Sequence, residues 1–305
     1  MLRSYAPVAL PGEARNEIPR YPAVGAAPLE SDGGKSRQMT SVSLGPAGAT
    51  PLHGELWSTR ARDWADLMEP AMRQLYVAIL DRLALQHGTT LLDAGCGSGL
   101  FCRYAANRGA RVSGVDAAPA LLDIARDRVP HGTFEIGDLG NLPFGDNTFD
   151  VVTGINSFEY VSSPAAALRE ARRVAKPGAQ IVIATWGCAE ECESASYIGA
   201  IASARPSATG TPGPFTLSAP GALESLATSA GLTPEDIVDV PVEWCFGDLH
   251  DALDALLSAG PAVRAIQFLG ERRVREAVTD AIRPFGTVRG DYRLENTFRY
   301  LIARA

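Results

Sequence analysis

The sequence predicts an α/β fold built on a seven-stranded, mostly parallel sheet with helices on both faces and an added helical cover. Three observations predict it. After Gly88 short apolar runs alternate with amphipathic stretches, the pattern of successive βαβ units. The first run passes into the glycine loop Asp93-Ala94-Gly95-Cys96-Gly97-Ser98-Gly99, a strand-to-helix turn of the kind that faces a ligand. A chain of 305 residues, 46% of them hydrophobic, is long enough to cover both faces of such a sheet.

The elements follow in order. Residues 1–52 hold seven prolines and scattered Gly, Ala and Ser without a sustained apolar period, so a disordered N-terminal tail is expected, followed by one domain over residues 53–305. From Gly54 onward Leu56, Trp57, Trp64, Leu67, Met68, Leu75, Ile79, Leu80 and Leu83 recur at helix-like intervals and predict two helices broken near Pro70. The domain core, residues 89–186, reads as strand 89–93, helix 99–108, strand 111–115, helix 119–128, strand 133–136, strand 149–154, helix 164–175 and strand 180–185. Lys176-Pro177-Gly178 stops the last of these helices. Residues 187–220, interrupted by Pro206, Pro212 and Pro214, read as an irregular insertion over the site. Helix 222–229, strand 237–244, helices 248–257 and 263–283 and strand 293–302 complete the domain, with a substrate cover expected from residues 187–232 and 246–285.

Composition narrows the function. A net charge of −7 disfavours a nonspecific nucleic-acid binder, which needs a basic face along the phosphates, and points to a small-molecule partner. No segment approaches the roughly 20 apolar residues of a membrane span, and the N-terminus lacks an apolar signal core, so no membrane partner and a cytoplasmic location are expected. Five cysteines cannot all pair and read as reduced thiols. Cys188 and Cys192 have the spacing of one helix face, but no second Cys/His pair stands at zinc-site spacing, and no metal is expected.

The glycine loop is Gly-x-Gly-x-Gly, not the Gly-x-Gly-x-x-Gly of dinucleotide binders, and it opens with Asp93. A carboxylate there repels a pyrophosphate and attracts the ammonium of an amino-acid ligand. A side chain at Gly95 or Gly97 would occupy space the ligand needs. The second acid, Asp116, closes the strand Arg111-Val112-Ser113-Gly114-Val115, the place where a carboxylate takes ribose hydroxyls.

These residues, together with Val115-Asp116, Gly137-Asp138-Leu139, Leu142-Pro143-Phe144, Phe149-Asp150-Val151-Val152 and the run from Leu168 to Gly178, resemble the successive motifs of class I S-adenosylmethionine-dependent methyltransferases. They are most similar to the branch that includes the ubiquinone and menaquinone C-methyltransferases and many natural-product methyltransferases. The resemblance covers about residues 91–186 and implies a Rossmann-like sheet with S-adenosylmethionine as cofactor and S-adenosylhomocysteine as product. It implies that Asp93, Gly95, Cys96, Gly97 and Gly99 hold the methionine part and Asp116 the ribose. Ala117, Asp138 and Leu139 would then lie around the adenine, and Asn156 and Ser157 near the transferable methyl. The segment Gly154-Ile155-Asn156-Ser157-Phe158 departs from the Asn/Asp-Pro-Pro-Tyr signature of nucleic-acid N-methyltransferases, which disfavours that substrate class.

Methyl transfer from a sulfonium mainly requires alignment, so a base is optional. His53, ahead of Trp57, is the first candidate base, and Asn156 the candidate at the methyl. Trp57, Trp186 and His250 are the candidate substrate contacts, Trp57 and Trp64 lying seven residues apart on one helix face. Phe158, Tyr160 and Phe215 are weaker ones. The expected activity is C-, O- or N-methylation of a small molecule, in quinone or secondary metabolism, by a monomer or homodimer. A cofactor-binding protein without methyl transfer, such as a cyclase or regulatory subunit, remains the alternative, ahead of an NAD-dependent oxidoreductase.

Overall fold

Short apolar runs buried on both sides need partners on both sides, and the strands supply a single sheet for them. The structure, a computed structural model, describes residues 50–204 and 213–305. Its strands are β1 (Thr90–Ala94), β2 (Arg111–Asp116), β3 (Thr133–Ile136), β4 (Phe149–Ile155), β5 (Ala175–Trp186), β6 (Thr233–Phe246) and β7 (Tyr292–Arg304). They form a seven-stranded sheet in the order β3-β2-β1-β4-β5-β7-β6. All neighbouring pairs from β3 to β5 are parallel, and β7 runs antiparallel to both β5 and β6.

The helices in chain order are α1 (Thr50–Thr59), α2 (Ala61–Asp63), α3 (Arg73–Leu83), α4 (Leu100–Asn107), α5 (Pro119–Arg128), α6 (Pro164–Val174), α7 (Ala195–Ser203), α8 (Ala222–Ser229), α9 (Leu249–Leu256), α10 (Gly260–Leu269) and α11 (Glu271–Ile282). Alternate strand residues face opposite layers. Leu91, Val151, Val182 and Ile302 join one core with Leu80 and Phe101, while Leu92, Val152, Ile183 and Leu301 join the other with Leu168 and Leu223.

Between α2 and α3 the chain passes through a π-turn, Trp64–Met68, and a 3-10 turn, Glu69–Met72, which contains Pro70. Ala61 of α2 and Ala65 of this strap pack against Ala118, Leu121 and Ile124 at α5.

Several expectations need correction. Of the expected tail, residues 1–49 lie outside the described residues, and Thr50 already opens α1. The helical break falls at Arg60, whose φ is −125°, as well as near Pro70. The insertion 187–220 is not irregular throughout: it contains α7 and a 3-10 turn, Ala189–Glu191. Cys188 and Cys192 flank that turn, so they are not an i, i+4 pair on a helix; their thiols meet the carbonyls of Ser218 and Thr297. The expected helix 263–283 is two helices, because Gly270 takes φ +85°. β6 is longer than residues 237–244 at both ends: as an edge strand it accommodates Pro234 and Pro241 and keeps alternate residues exposed.

Candidate active site

The strand order reverses between β1 and β4, where helices depart to opposite faces and leave a crevice beyond the carboxyl ends of the strands. A cavity of about 210 Å³ opens there. Of the residues expected at a site, His53, Trp57, Asp93, Gly95, Cys96, Gly97, Asp116, Ala117, Asp138, Leu139, Asn156, Ser157 and Trp186 all line it.

Two expected residues do not. Gly99 caps α4 with φ +77°, and a side chain on it would come within 2.8 Å of the Ala125 side chain, so it serves the α4–α5 contact rather than the cavity. His250 stands on the outer face of α9, its side chain 75% exposed and its Nδ1 3.1 Å from Asp254. Helical phase turns it away from the crevice.

The glycine loop is held from several sides. Gly95 has φ +84°, and a Cβ on it would meet Ser157 Cβ at 2.4 Å, so its lack of a side chain serves the approach of β1 to the loop after β4 rather than ligand space. The Ser157 hydroxyl donates to the Ala94 carbonyl at 2.7 Å and closes the same contact. Cys96 lines the cavity while its side chain is buried, and a Cβ on Gly114 would lie 2.6 Å from its sulfur. Gly97, at φ +53°, does face open space, with nothing closer than 3.7 Å to a Cβ placed there.

Three carboxylates surround this loop. Asp116 accepts from the amides of Gly97 and Ala118, both at 2.9 Å, one on each oxygen, which fixes its orientation while burial pushes its pKa up. Asp93 is 3% exposed and accepts from Thr153 Oγ1 at 2.8 Å; burial, reinforced by the charges of Glu69 and Asp116, pushes its pKa up to about 7. Glu69, in the 3-10 turn of the strap, is 2% exposed and takes the Ser98 hydroxyl and Arg128, yet burial still raises its pKa. Among the described residues lining the cavity none is Arg or Lys.

Asp138 lines the cavity and also caps its own turn, accepting the Gly140 amide at 2.7 Å. Asn156 takes the left-handed conformation, φ +50°, which Asn tolerates better than most residues; its Oδ1 is buried without a hydrogen-bond partner.

His53 lies beside the β2 end: the neighbouring Gly54 passes so close to the Ala117 carbonyl that a Cβ would stand 2.1 Å from its oxygen. Trp186 ends β5, three strands away from β2 and so about 14 Å across the sheet. Burial, with the charge of Arg264 adding to it, lowers the His53 pKa and keeps the ring neutral at pH 7. Trp57 and Trp64 still meet, edge to face at 4.8 Å, although no single regular helix carries them. Trp57 also contacts Tyr160 at 6.0 Å between ring centroids. At the β5 end Trp186 packs against Trp244, Phe298 and Phe215, with Tyr197 beyond Trp244.

Sequence reasoning missed Glu69, Tyr197 and Trp244. Trp244 had a signal, since Val240, Val242, Trp244 and Phe246 recur with the period of a strand. Glu69 had none beyond an acid inside an apolar stretch.

Residues 92–183 match the protein-family profile described as Methyltransferase domain. Among curated proteins, the chain is 35% identical over 127 residues to the malonyl-[acyl-carrier protein] O-methyltransferase of Serratia marcescens, a match covering 42% of this chain and 50% of that protein. It is 36% identical over 106 residues to the demethylmenaquinone methyltransferase of Paenarthrobacter aurescens, covering 35% of this chain and 42% of the relative. The matched part thus spans half or less of these relatives. Among solved structures, that of the [4+2]-cyclase SpnF superposes with a TM-score of 0.55 over 85% of this chain and 97% of that chain, at 21% identity, and shares the fold.

Proposed function

We propose that this chain, which carries a methyltransferase domain over residues 92–183, transfers a methyl group from S-adenosylmethionine to a small-molecule acceptor and releases S-adenosylhomocysteine. One observation carries the assignment: the cavity at the sheet's reversal point gathers Glu69, Asp93 and Asp116 around an open glycine loop, without a described Arg or Lys in its wall. Such a site fits a ligand that is cationic and carries hydroxyls, and it repels a pyrophosphate. The space over Gly97 and the two amides that orient Asp116 fit the same group.

In this assignment Asp116 takes the ribose hydroxyls, Ala117, Asp138 and Leu139 surround the adenine, and the loop from Gly95 to Gly97 takes the methionine part. Bound S-adenosylmethionine would supply an activated methyl on a sulfonium. The protein's contribution is then to hold an acceptor in line, positioning that is worth on the order of 7–11 kcal/mol. Trp186, Trp244 and Tyr197 offer flat apolar walls for an acceptor on the β5 side, and Asn156 stands between the two halves. His53, at the β2 end, is assigned to covering the nucleoside in place of a base at the methyl.

The net charge of −7 supports a small acceptor over a nucleic acid, and no helix of the described residues is long and apolar enough to cross a membrane. Because the fold is shared with a cyclase, the test must follow the methyl itself. Thermal shift with S-adenosylmethionine, S-adenosylhomocysteine and NAD comes first, a ligand at 100 times its Kd adding about 2.7 kcal/mol of stability. Transfer of labelled methyl to a panel of neutral aromatic hydroxy compounds and quinols comes second. Stabilisation by NAD alone rejects the assignment.

A further inference from the structure

Arg60 ends the first helical stretch, and the chain re-enters through a π-turn whose closing bond runs from the Glu69 amide to the Trp64 carbonyl, five residues back. An α-helix would close four residues back and rotate these two side chains apart. Single π-turns inside helices often mark functional sites. Here the turn carries two polar atoms that both face the space over the glycine loop: a Cβ placed on Gly97 has Glu69 Oε1 at 3.7 Å and Trp64 Nε1 at 3.8 Å as its nearest heavy atoms. Glu69, Trp64 and Gly97 all line the cavity.

The two oxygens of Glu69 are used unequally. Oε2 receives both the Ser98 hydroxyl and Arg128 Nη1, whereas Oε1 has only the Leu100 amide at 3.4 Å. A carboxylate oxygen can accept two hydrogen bonds, so Oε1 keeps capacity for a further, stronger donor. Arg128 is committed elsewhere: besides Glu69 it donates to the Ser98 carbonyl at 3.0 Å and, through Nη2, to the Ala65 carbonyl at 2.7 Å. It anchors the carboxylate from behind and leaves the cavity side to a ligand. The Trp64 indole N–H is a donor only, and its nitrogen faces the same space over Gly97.

We infer that Glu69 and Trp64 form a clamp for a zwitterionic α-amino acid group, Glu69 Oε1 accepting from its ammonium and Trp64 Nε1–H donating to its carboxylate. The inference rests on the proposed use of S-adenosylmethionine, whose methionine part carries that group, and it places two of its contacts on a strap outside residues 92–183. Burial of a carboxylate with one open oxygen is costly until a cation arrives, which agrees with the raised pKa of Glu69 despite its Arg128 partner.

The test is calorimetric and uses two probes, S-adenosylhomocysteine and 5′-methylthioadenosine, which shares the nucleoside and sulfur but lacks the amino acid group. Glu69→Gln is expected to weaken S-adenosylhomocysteine at least tenfold while 5′-methylthioadenosine changes by less than about twofold. Trp64→Phe, which leaves the Arg128 contact untouched, is expected to show the same selectivity if Glu69→Gln fails to fold. Equal losses for the two probes, or none for either, overturn the clamp and leave the proposed function standing. A wild-type protein that binds neither probe overturns both.

Discussion

Replacing Glu159 with Gln should flatten the dependence of folding stability on pH. Glu159 sits in a 3-10 turn, Phe158–Tyr160, just after β4, 2% exposed, and neither carboxyl oxygen has a partner in hydrogen-bond geometry. Burial pushes its pKa from 4.5 to about 8, against the pull of its own amide and of the nearby Thr185 hydroxyl, neither of which reaches hydrogen-bond geometry. A raised carboxylate pKa means that the folded state holds a proton the unfolded chain has lost, so stability falls as pH rises from 4.5 to 8 and levels above that. At pH 6 the cost relative to an unperturbed carboxylate is about 2 kcal/mol, and at pH 9 about 5 kcal/mol. Urea unfolding of wild type and Glu159→Gln at both pH values should therefore show the wild type losing about 3 kcal/mol more between them than the variant does. Glu69, Asp93 and Asp116, also raised, are present in both proteins and cancel in the comparison. Parallel pH dependence of the two proteins would refute the assignment of an unpaired buried carboxyl.

Asp116→Ala should weaken S-adenosylmethionine by about 10- to 150-fold, the 1.5–3 kcal/mol of a charge-assisted hydrogen bond, in a protein that still folds; unchanged affinity in calorimetry removes it from the site. Gly95→Ala should destabilise by about 2–4 kcal/mol, and the cost should shrink in a Ser157→Gly background, where only the strain of φ +84° remains. An equal cost in both backgrounds rules out the Ser157 contact as its cause. Asp93, with a pKa of about 7, is partly protonated at neutral pH, and a cationic ligand favours its ionised form, so binding should release a proton and tighten as pH rises through 7. Identical binding enthalpies in two buffers of different ionisation heat contradict this. His53→Ala should raise the cofactor Kd by about three- to tenfold, or 0.7–1.4 kcal/mol. An unchanged Kd with slower methyl transfer returns His53 to the role of a base.

What could be read directly from the sequence was local in origin. The strand–loop–helix around Asp93 to Gly99, the acid closing β2 at Asp116 and the turn at Asp138 each follow from a few consecutive residues, and all come together at one end of the sheet. The roles of single glycines were less legible, because Gly95 answers to Ser157, 62 positions away in sequence, and Gly99 to Ala125. Glu69 and Arg128 illustrate the harder case: their ion pair spans 59 positions, and neither residue's neighbours mark it as buried. His250 was misjudged because belonging to a covering segment does not fix which helix face a residue occupies, and on α9 the apolar residues Ala252, Leu253 and Leu256 hold the inner face. β6 was underestimated because Pro234 and Pro241 argue against a strand except at a sheet edge, and edge position is a property of the whole topology.

The acids around the glycine loop work against the fold when the cavity holds no cation. Each of Glu69, Asp93 and Asp116 has its pKa raised by burial, and the first and third raise that of Asp93 further. A fold under selection for stability alone would replace such residues with apolar ones, since a buried charge cluster is seldom a net gain. Their arrangement makes sense when a ligand supplies the missing positive charge, because the same desolvation that destabilises the free protein then strengthens each contact to that ligand. Arg128 relieves Glu69 only in part: it pairs with Oε2 and donates to the Ser98 and Ala65 carbonyls, it does not line the cavity, and the Glu69 pKa stays raised. A cation that relieves all three has to enter by the cavity, where the proposed clamp of Glu69 and Trp64 would meet its amino-acid end.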